Sequence, residues 1–313
     1  MNRHIIPVTK DSSGETLPLF IYFGGSLDKD HPSSSSLVIL LHGAGGDHYH
    51  FDSVVPKLIN AGYAVLTLDL RGHGESQVKG DGDDMHVSFE SMANDLDAVL
   101  QWLNKDKFGG ATNSAPTRVF VGGLSMGGML AQVCAHHKKA RWLQLGYDIA
   151  GVIAIACPSV NMIWPRISWM DVYRGISTMD PNVMQAARKA IISSAVEENG
   201  RKETARAMDL ISDVTLFQSL RSCADALSPP PLPCCTPKDP IPPQFDTNPL
   251  KLPLLLVTGS QDEHTVKVMH AWQQLNEQHQ IDSQFKMMDH AGHMVPLDAG
   301  THLADAILKF LAQ

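Results

Sequence analysis

Five stretches of this chain are apolar without alternation and of strand length: LVILLHG (from Leu37), YAVLTLDL (from Tyr63), RVFVGGLS (from Arg118), IAGVIAIACPS (from Ile149) and LPLLLVTGS (from Leu252). A strand buried on both faces has no solvent side to mark, so such runs predict central strands of a parallel sheet. HIIPV and LPLFIYF near the start predict two more strands joined by a polar turn, and SQFKMMD near the end predicts the last. Helical patterns alternate with them. FDSVVPKLINAG predicts a short helix stopped by Gly62. Ser88 is placed to cap FESMANDLDAVLQWL, with Glu90 and Ser91 in its first turn. MGGMLAQVCAHH, HTVKVMHAWQQLNEQ and LADAILKFLAQ predict three further helices. Strands alternating with helices imply a mostly parallel, eight-stranded α/β sheet covered on both faces.

The alternation breaks after the sixth strand. Residues 158 to about 227 read as helical: Trp164 to Ile176, then a helix opened by Asp180-Pro181 and ended by Asn199-Gly200, then Arg201 to about Leu227. SPPPLPCCTPKDPIPPQ follows, where repeated proline favours neither helix nor sheet. The expected organisation is a core of residues 1–157 and 250–313. A helical cap of residues 158–249 interrupts it, with a proline-rich loop at 228–249.

Composition narrows the class without choosing a function. At 313 residues with 43% apolar content the chain can hold one large core with an insertion. Its 25 basic and 33 acidic residues give a net charge of −8, and no basic stripe marks a nucleic-acid partner. Five cysteines show neither C-x-x-C nor zinc spacing, and their odd number argues against a secreted disulfide framework. There is no signal-like apolar start and no run approaching about 20 apolar residues, so a soluble, cytoplasmic protein without a transmembrane segment is expected.

The candidate chemistry lies at the ends of the predicted strands. Gly123-Leu124-Ser125-Met126-Gly127 fits G-x-S-x-G and falls between a strand and a helix, the setting of a nucleophile elbow. A serine hydroxyl needs a base. His290 and His293 both follow the last strand. His293 is preferred because Ala291-Gly292 can swing its ring over the sheet edge. The base in turn needs an acid. Asp262, in the loop after the preceding strand, gives the order Ser125, Asp262, His293; adjacent Glu263 is the fallback. The amides of Met126 and of Ala44, in LLHGAGGDHYH, are placed to form an oxyanion hole. His42 is expected to brace that loop. His48 and His50, near Asp47 and Asp52, are read as a polar, solvated rim of the cleft and not as a metal site.

Together LLHGAGG, LDLRGHGES, GLSMGGMLAQ, GSQDEHT and HAGHMVPLD resemble the recurring blocks of the α/β-hydrolase superfamily, in order. The second block looks like that of serine esterases and monoacylglycerol-lipase-like members, the third like that of enol-lactonases. The resemblance implies Ser125 as nucleophile, His293 as base and Asp262 as acid, with Asp69, Arg71 and His73 holding a loop. Dehalogenases and epoxide hydrolases carry aspartate at the elbow, where this chain has serine. Protein-phosphatase methylesterases are similar through the first half but take their acid after the sixth strand, where this chain has ACPSV. The expected activity is hydrolysis of a small carboxylic ester or lactone through an acyl-enzyme, with no cofactor and no metal. Trp164, Trp169 and Tyr173 are candidate substrate contacts in the cap. An acyltransferase with the same triad, and a ligand receptor on a hydrolase scaffold, are the competing readings.

Overall fold

The computed structural model describes residues 1–9, 15–27, 36–77, 86–108, 115–160, 162–163, 179–227, 244–245 and 249–313. Eight strands form one sheet: β1 (Asn2–Thr9), β2 (Thr16–Gly24), β3 (Ser36–Leu41), β4 (Ala64–Leu68), β5 (Thr117–Leu124), β6 (Tyr147–Ile155), β7 (Leu254–Gly259) and β8 (Ser283–Met288). Their order across the sheet is β1-β2-β4-β3-β5-β6-β7-β8. The β1–β2 and β2–β4 pairs are antiparallel and every other pair is parallel.

The continuous apolar runs are the central strands, as expected. Every residue of β3, β4 and β7 is buried. The pleat divides β3 between two cores: Leu37, Ile39 and Leu41 pack into one, Val38 and Leu40 into the other. The first core is closed by α2 (Phe89–Phe108) and α3 (Met126–His137), and by α8 (Val266–Gln278) through Met269 and Trp272. The second is closed by α1 (Val55–Asn60) and the terminal α10 (Gly300–Leu311). Two short helices, α4 (Lys139–Gln144) and α9 (Val295–Asp298), complete the core's connections. Ser88 caps α2 as expected: its Oγ accepts from the Ser91 amide, and Ser91 Oγ accepts from the Ser88 amide in return.

Three described helices lie between β6 and β7: α5 (Pro181–Ser193), α6 (Glu198–Met208) and α7 (Asp213–Leu227). Asp180 caps α5, its side chain accepting from Asn182 N, with Pro181 in the first turn. Two expectations fail here. Asn199-Gly200 does not end α5; it lies in the first turn of α6. Gly200 is buried there in a tight fit: a Cβ would lie 3.1 Å from Asp298 Oδ1 and 3.2 Å from the Ala195 methyl. The single helix expected from Arg201 to Leu227 is two, broken at Ser212, whose Oγ accepts from the Thr215 amide and opens α7. Within the proline-rich stretch, Gln244–Phe245 pairs antiparallel with Met162–Ile163, a short bridge where no sheet was expected. The helix expected over Trp164 to Ile176 lies outside the described residues. Among those residues no helix is long and apolar enough to cross a membrane.

α6 is pinned to the loop after β3. Arg206 Nη2 donates to Asp47 Oδ2 at 2.6 Å and its guanidinium lies 4.7 Å from the centre of the Tyr49 ring. Burial pushes the Asp47 carboxyl up, and the contact with Arg206 opposes that rise. Met208 covers Gly45, where a Cβ would come within 2.2 Å of its terminal methyl.

Candidate active site

Ser125 sits between the last residue of β5 and the first of α3 with φ 52° and ψ −114°. That conformation is costly for any residue with a side chain, by about 1–3 kcal/mol, and persists only where the surroundings enforce it. Here they do. The Ser125 amide donates to Ile155 O at 2.8 Å, tying the turn to the end of β6. Strand and helix then meet at glycine. A Cβ on Gly123 would lie 2.3 Å from Leu41 O, and one on Gly127 would lie 2.1 Å from the same oxygen. Gly127→Ala therefore forces β3 and α3 apart. We expect it to lower the unfolding free energy by about 3 kcal/mol or more, read from the midpoint of urea unfolding.

The loops after β7 and β8 bring Asp262 and His293 together. His293 Nδ1 lies 2.8 Å from Asp262 Oδ2, and Thr265 Oγ1 donates to the same oxygen. Asp262 Oδ1 accepts from the amides of His264 and Thr265, both at 3.1 Å. Burial alone would raise the Asp262 carboxyl, but its bonds to His293 and Thr265 outweigh that and hold it down at about 2. The carboxylate is thus charged at neutral pH, and its contact with Nδ1 places the imidazole proton there. The other two candidates, His290 and Glu263, are exposed and are not among the described residues lining the cavity that holds Ser125. The His290 amide donates to Ser260 Oγ at 3.1 Å.

The histidine loop is fastened to the helical insertion. The His293 amide donates to Ser194 O at 2.9 Å. Asp298 accepts from the amides of Gly292 and Glu197, both at 2.9 Å, and of Val196 at 3.1 Å. Sequence reading missed Thr265, Ser194 and Asp298. The D-x-x-T spacing of Asp262 and Thr265 was a readable local signal; nothing local marks the other two.

On the opposite side, Leu70 N donates to His42 Nε2 at 2.9 Å, so Nδ1 carries the proton and donates to Gly43 O at 2.8 Å. His42 braces the loop as expected. Holding the Gly43 carbonyl also aims the Ala44 amide the other way, since the two are opposed across a trans peptide. Met126 is the first residue of α3, where amide protons have no intrahelical acceptor. Asp69, Arg71 and His73 hold the following loop. Asp69 accepts from the amides of His48 and Glu75 and contacts His48 Nδ1 at 2.7 Å, Arg71 pairs with buried Asp95, and His73 Nδ1 reaches Arg71 O. His48 and His50 do not form the expected solvated rim: both are buried, His50 with both ring nitrogens unpartnered among the described residues, and burial pushes His50 down to about 3, so its ring is neutral. Among the described residues no three His, Cys, Asp or Glu side chains are grouped to hold a metal ion.

Ser125, Ala44 and His293 line one cavity of about 250 Å³. Trp164, Trp169 and Tyr173, expected to contact substrate, lie outside the described residues.

Strand order, elbow and loop positions are those of one fold family, and a model of the alpha/beta hydrolase family matches residues 38–306. The chain belongs to that family. It is 33% identical over 100 residues to protein phosphatase methylesterase 1 of Mus musculus; the match covers 32% of this chain and 23% of that one, under a quarter of the relative's length. Among solved structures it resembles an esterase from Thermogutta terrifontis, with a TM-score of 0.67 at 20% identity over 100% of this chain and 98% of that one. It also resembles the epoxide hydrolase CorEH, with a TM-score of 0.63 at 16% identity over 99% of each. At these identities the structural likenesses establish the fold.

Proposed function

We propose that this hydrolase is a serine esterase or lactonase that works through an acyl-enzyme. The observation that carries the reading is a strained Ser125 sharing one cavity with His293, whose far nitrogen is held by a charged Asp262. With the proton fixed on Nδ1, Nε2 is free to accept one. Ser125 Oγ attacks the ester carbonyl and gives its proton to His293 Nε2. The amides of Ala44 and Met126 receive the developing oxyanion, a type of contact worth about 10²–10³ in rate for each donor. The carbon–oxygen bond to the alcohol breaks as His293 returns the proton to the leaving oxygen. Water, losing a proton to the same nitrogen, then attacks the acyl-enzyme, and His293 passes that proton to Ser125 Oγ as the acyl–oxygen bond breaks and the acid leaves. Asp262 stays ionised and stabilises the imidazolium in both steps. The serine at the elbow favours this route over the aspartate-based chemistry that the resemblance assigns to epoxide hydrolases.

The test is labelling with a fluorophosphonate probe followed by peptide mass analysis. We expect one probe per chain, on Ser125, and labelling of His293→Ala slowed at least about 10³-fold. A folded protein that takes up no probe would overturn the reading.

A further inference from the structure

We propose that the substrate is an ester with two unlike halves: an uncharged acyl chain of short to medium length, and a hydrophilic, hydroxyl-bearing alcohol. The proposal rests on the reading of Ser125, Asp262 and His293 as a triad, and it assigns the two halves to two different spaces beside them.

The acyl half follows Ser125, because the serine bonds to the carbonyl carbon. The cavity there is walled by one face of α7: Leu220, Cys223, Ala224 and Leu227, spaced i, i+3, i+4, i+7. Met129 from α3 and Ile191 from α5 face the same space. No Asp, Glu, Lys or Arg is among its described lining residues. A charged or strongly polar chain end would lose its water there with nothing to replace it. Burial pushes the Cys223 thiol up to about 12, so it is a neutral piece of wall and not a second nucleophile. At about 250 Å³ the cavity falls just below the range of about 300–1,000 Å³ usual for ligand pockets, which suits a short to medium chain.

The alcohol half follows His293, because the leaving oxygen must collect its proton from that ring. His293 also borders a second space, a groove of about 460 Å³ on the side of the Asp262 loop. Ala190, Ser194, His264 and His293 are common to both spaces. The groove adds exposed Ser193, Arg201, Gln261 and Glu263. With Arg201 set against the carboxylates of Glu263 and Asp262, and with several hydrogen-bonding groups beside them, the groove suits a neutral polyol-like alcohol better than an alkyl chain or an anion.

The experiment measures kcat/KM in two series. p-Nitrophenyl esters from acetate to dodecanoate vary the acyl chain, and hexanoate esters of butanol and of a butanetriol vary the alcohol. Each methylene buried in the cavity is worth about fourfold. We expect an optimum between about four and eight carbons and a fall of about tenfold or more at dodecanoate. Ala224→Phe, which fills the wall, should lower the hexanoate-to-acetate ratio about tenfold or more; Leu220→Ala, which opens it, should raise the dodecanoate-to-hexanoate ratio about threefold. The triol ester should be preferred to the butyl ester by about threefold or more, and Gln261→Leu with Glu263→Leu should erase that preference. A flat chain-length profile, unmoved by both wall variants, or a preference for the butyl ester, would overturn the proposal while probe labelling of Ser125 left the hydrolase reading standing. Failure to cleave any ester together with failure to label would overturn both.

Discussion

Ser125→Ala is expected to fold, to take up no fluorophosphonate, and to hydrolyse p-nitrophenyl esters at least about 10⁴-fold more slowly than the parent. The substitution removes one oxygen, and the other candidates lining the cavity are engaged: the Ser194 and Thr265 hydroxyls donate to Ile191 O and Asp262 Oδ2, and burial keeps the Cys223 thiol protonated. A residual rate above water is expected from the oxyanion donors alone. The backbone supplies a second readout. Alanine keeps the strain at φ 52°, whereas glycine has no Cβ to strain. Ser125→Gly should be equally inactive but more stable than Ser125→Ala by about 1 kcal/mol, after the entropy that glycine costs is subtracted. Equal stabilities, measured by urea unfolding, would mean that the turn is not held under tension.

That strain explains why the site could be read before the fold was seen. G-x-S-x-G is a steric requirement: Gly123 and Gly127 both face Leu41 O at distances no side chain allows. The central strands were legible for a similar reason, since burial on both faces leaves an unbroken apolar run. Asp262 could be placed because it follows such a run within a few residues, and His293 because it stands in the Ala-Gly-His loop after the last strand. The insertion was less legible, because its glycine sits inside a helix against a residue distant in sequence and its break is made by a single serine cap. Gly200 looks like a helix stop but lies in the first turn of α6, packed closely against Asp298, about 100 residues further on. The break before α7 has no glycine or proline; it is made by Ser212, which a reading of helical periodicity passes over. The face of α7 carrying Leu220, Cys223, Ala224 and Leu227 is visible as periodicity, but only packing shows that it faces Ser125 and not the core.

Asp262→Asn should cost about 10⁴ in kcat, although the side chain keeps its shape. The reason lies in what surrounds the carboxylate. Oδ1 accepts two backbone amides, from His264 and Thr265, so an asparagine must put its oxygen there. Its NH₂ then takes the Oδ2 position and faces His293 Nδ1. An NH₂ donates, so Nδ1 must accept, and the imidazole proton moves to Nε2. That nitrogen can no longer take a proton from Ser125. Probe labelling should slow by a similar factor while KM changes little, because Asp262 is buried behind His293.

Stability gives a second signature, with a definite sign. The Asp262 carboxyl is depressed from 3.8 to about 2 in the folded protein. The folded state therefore favours the charged form. The resulting stabilisation, about 2 kcal/mol, is present above pH ~4 and disappears as the pH falls through the window from about 4 to 2. Asparagine cannot titrate. The difference in unfolding free energy between parent and variant should shrink by about 2 kcal/mol between pH 6 and pH 2, whatever the other carboxylates do in both proteins. A difference that stays constant across that window would show that Asp262 is not held as a carboxylate by His293, and the tautomer argument for the loss of activity would fall with it.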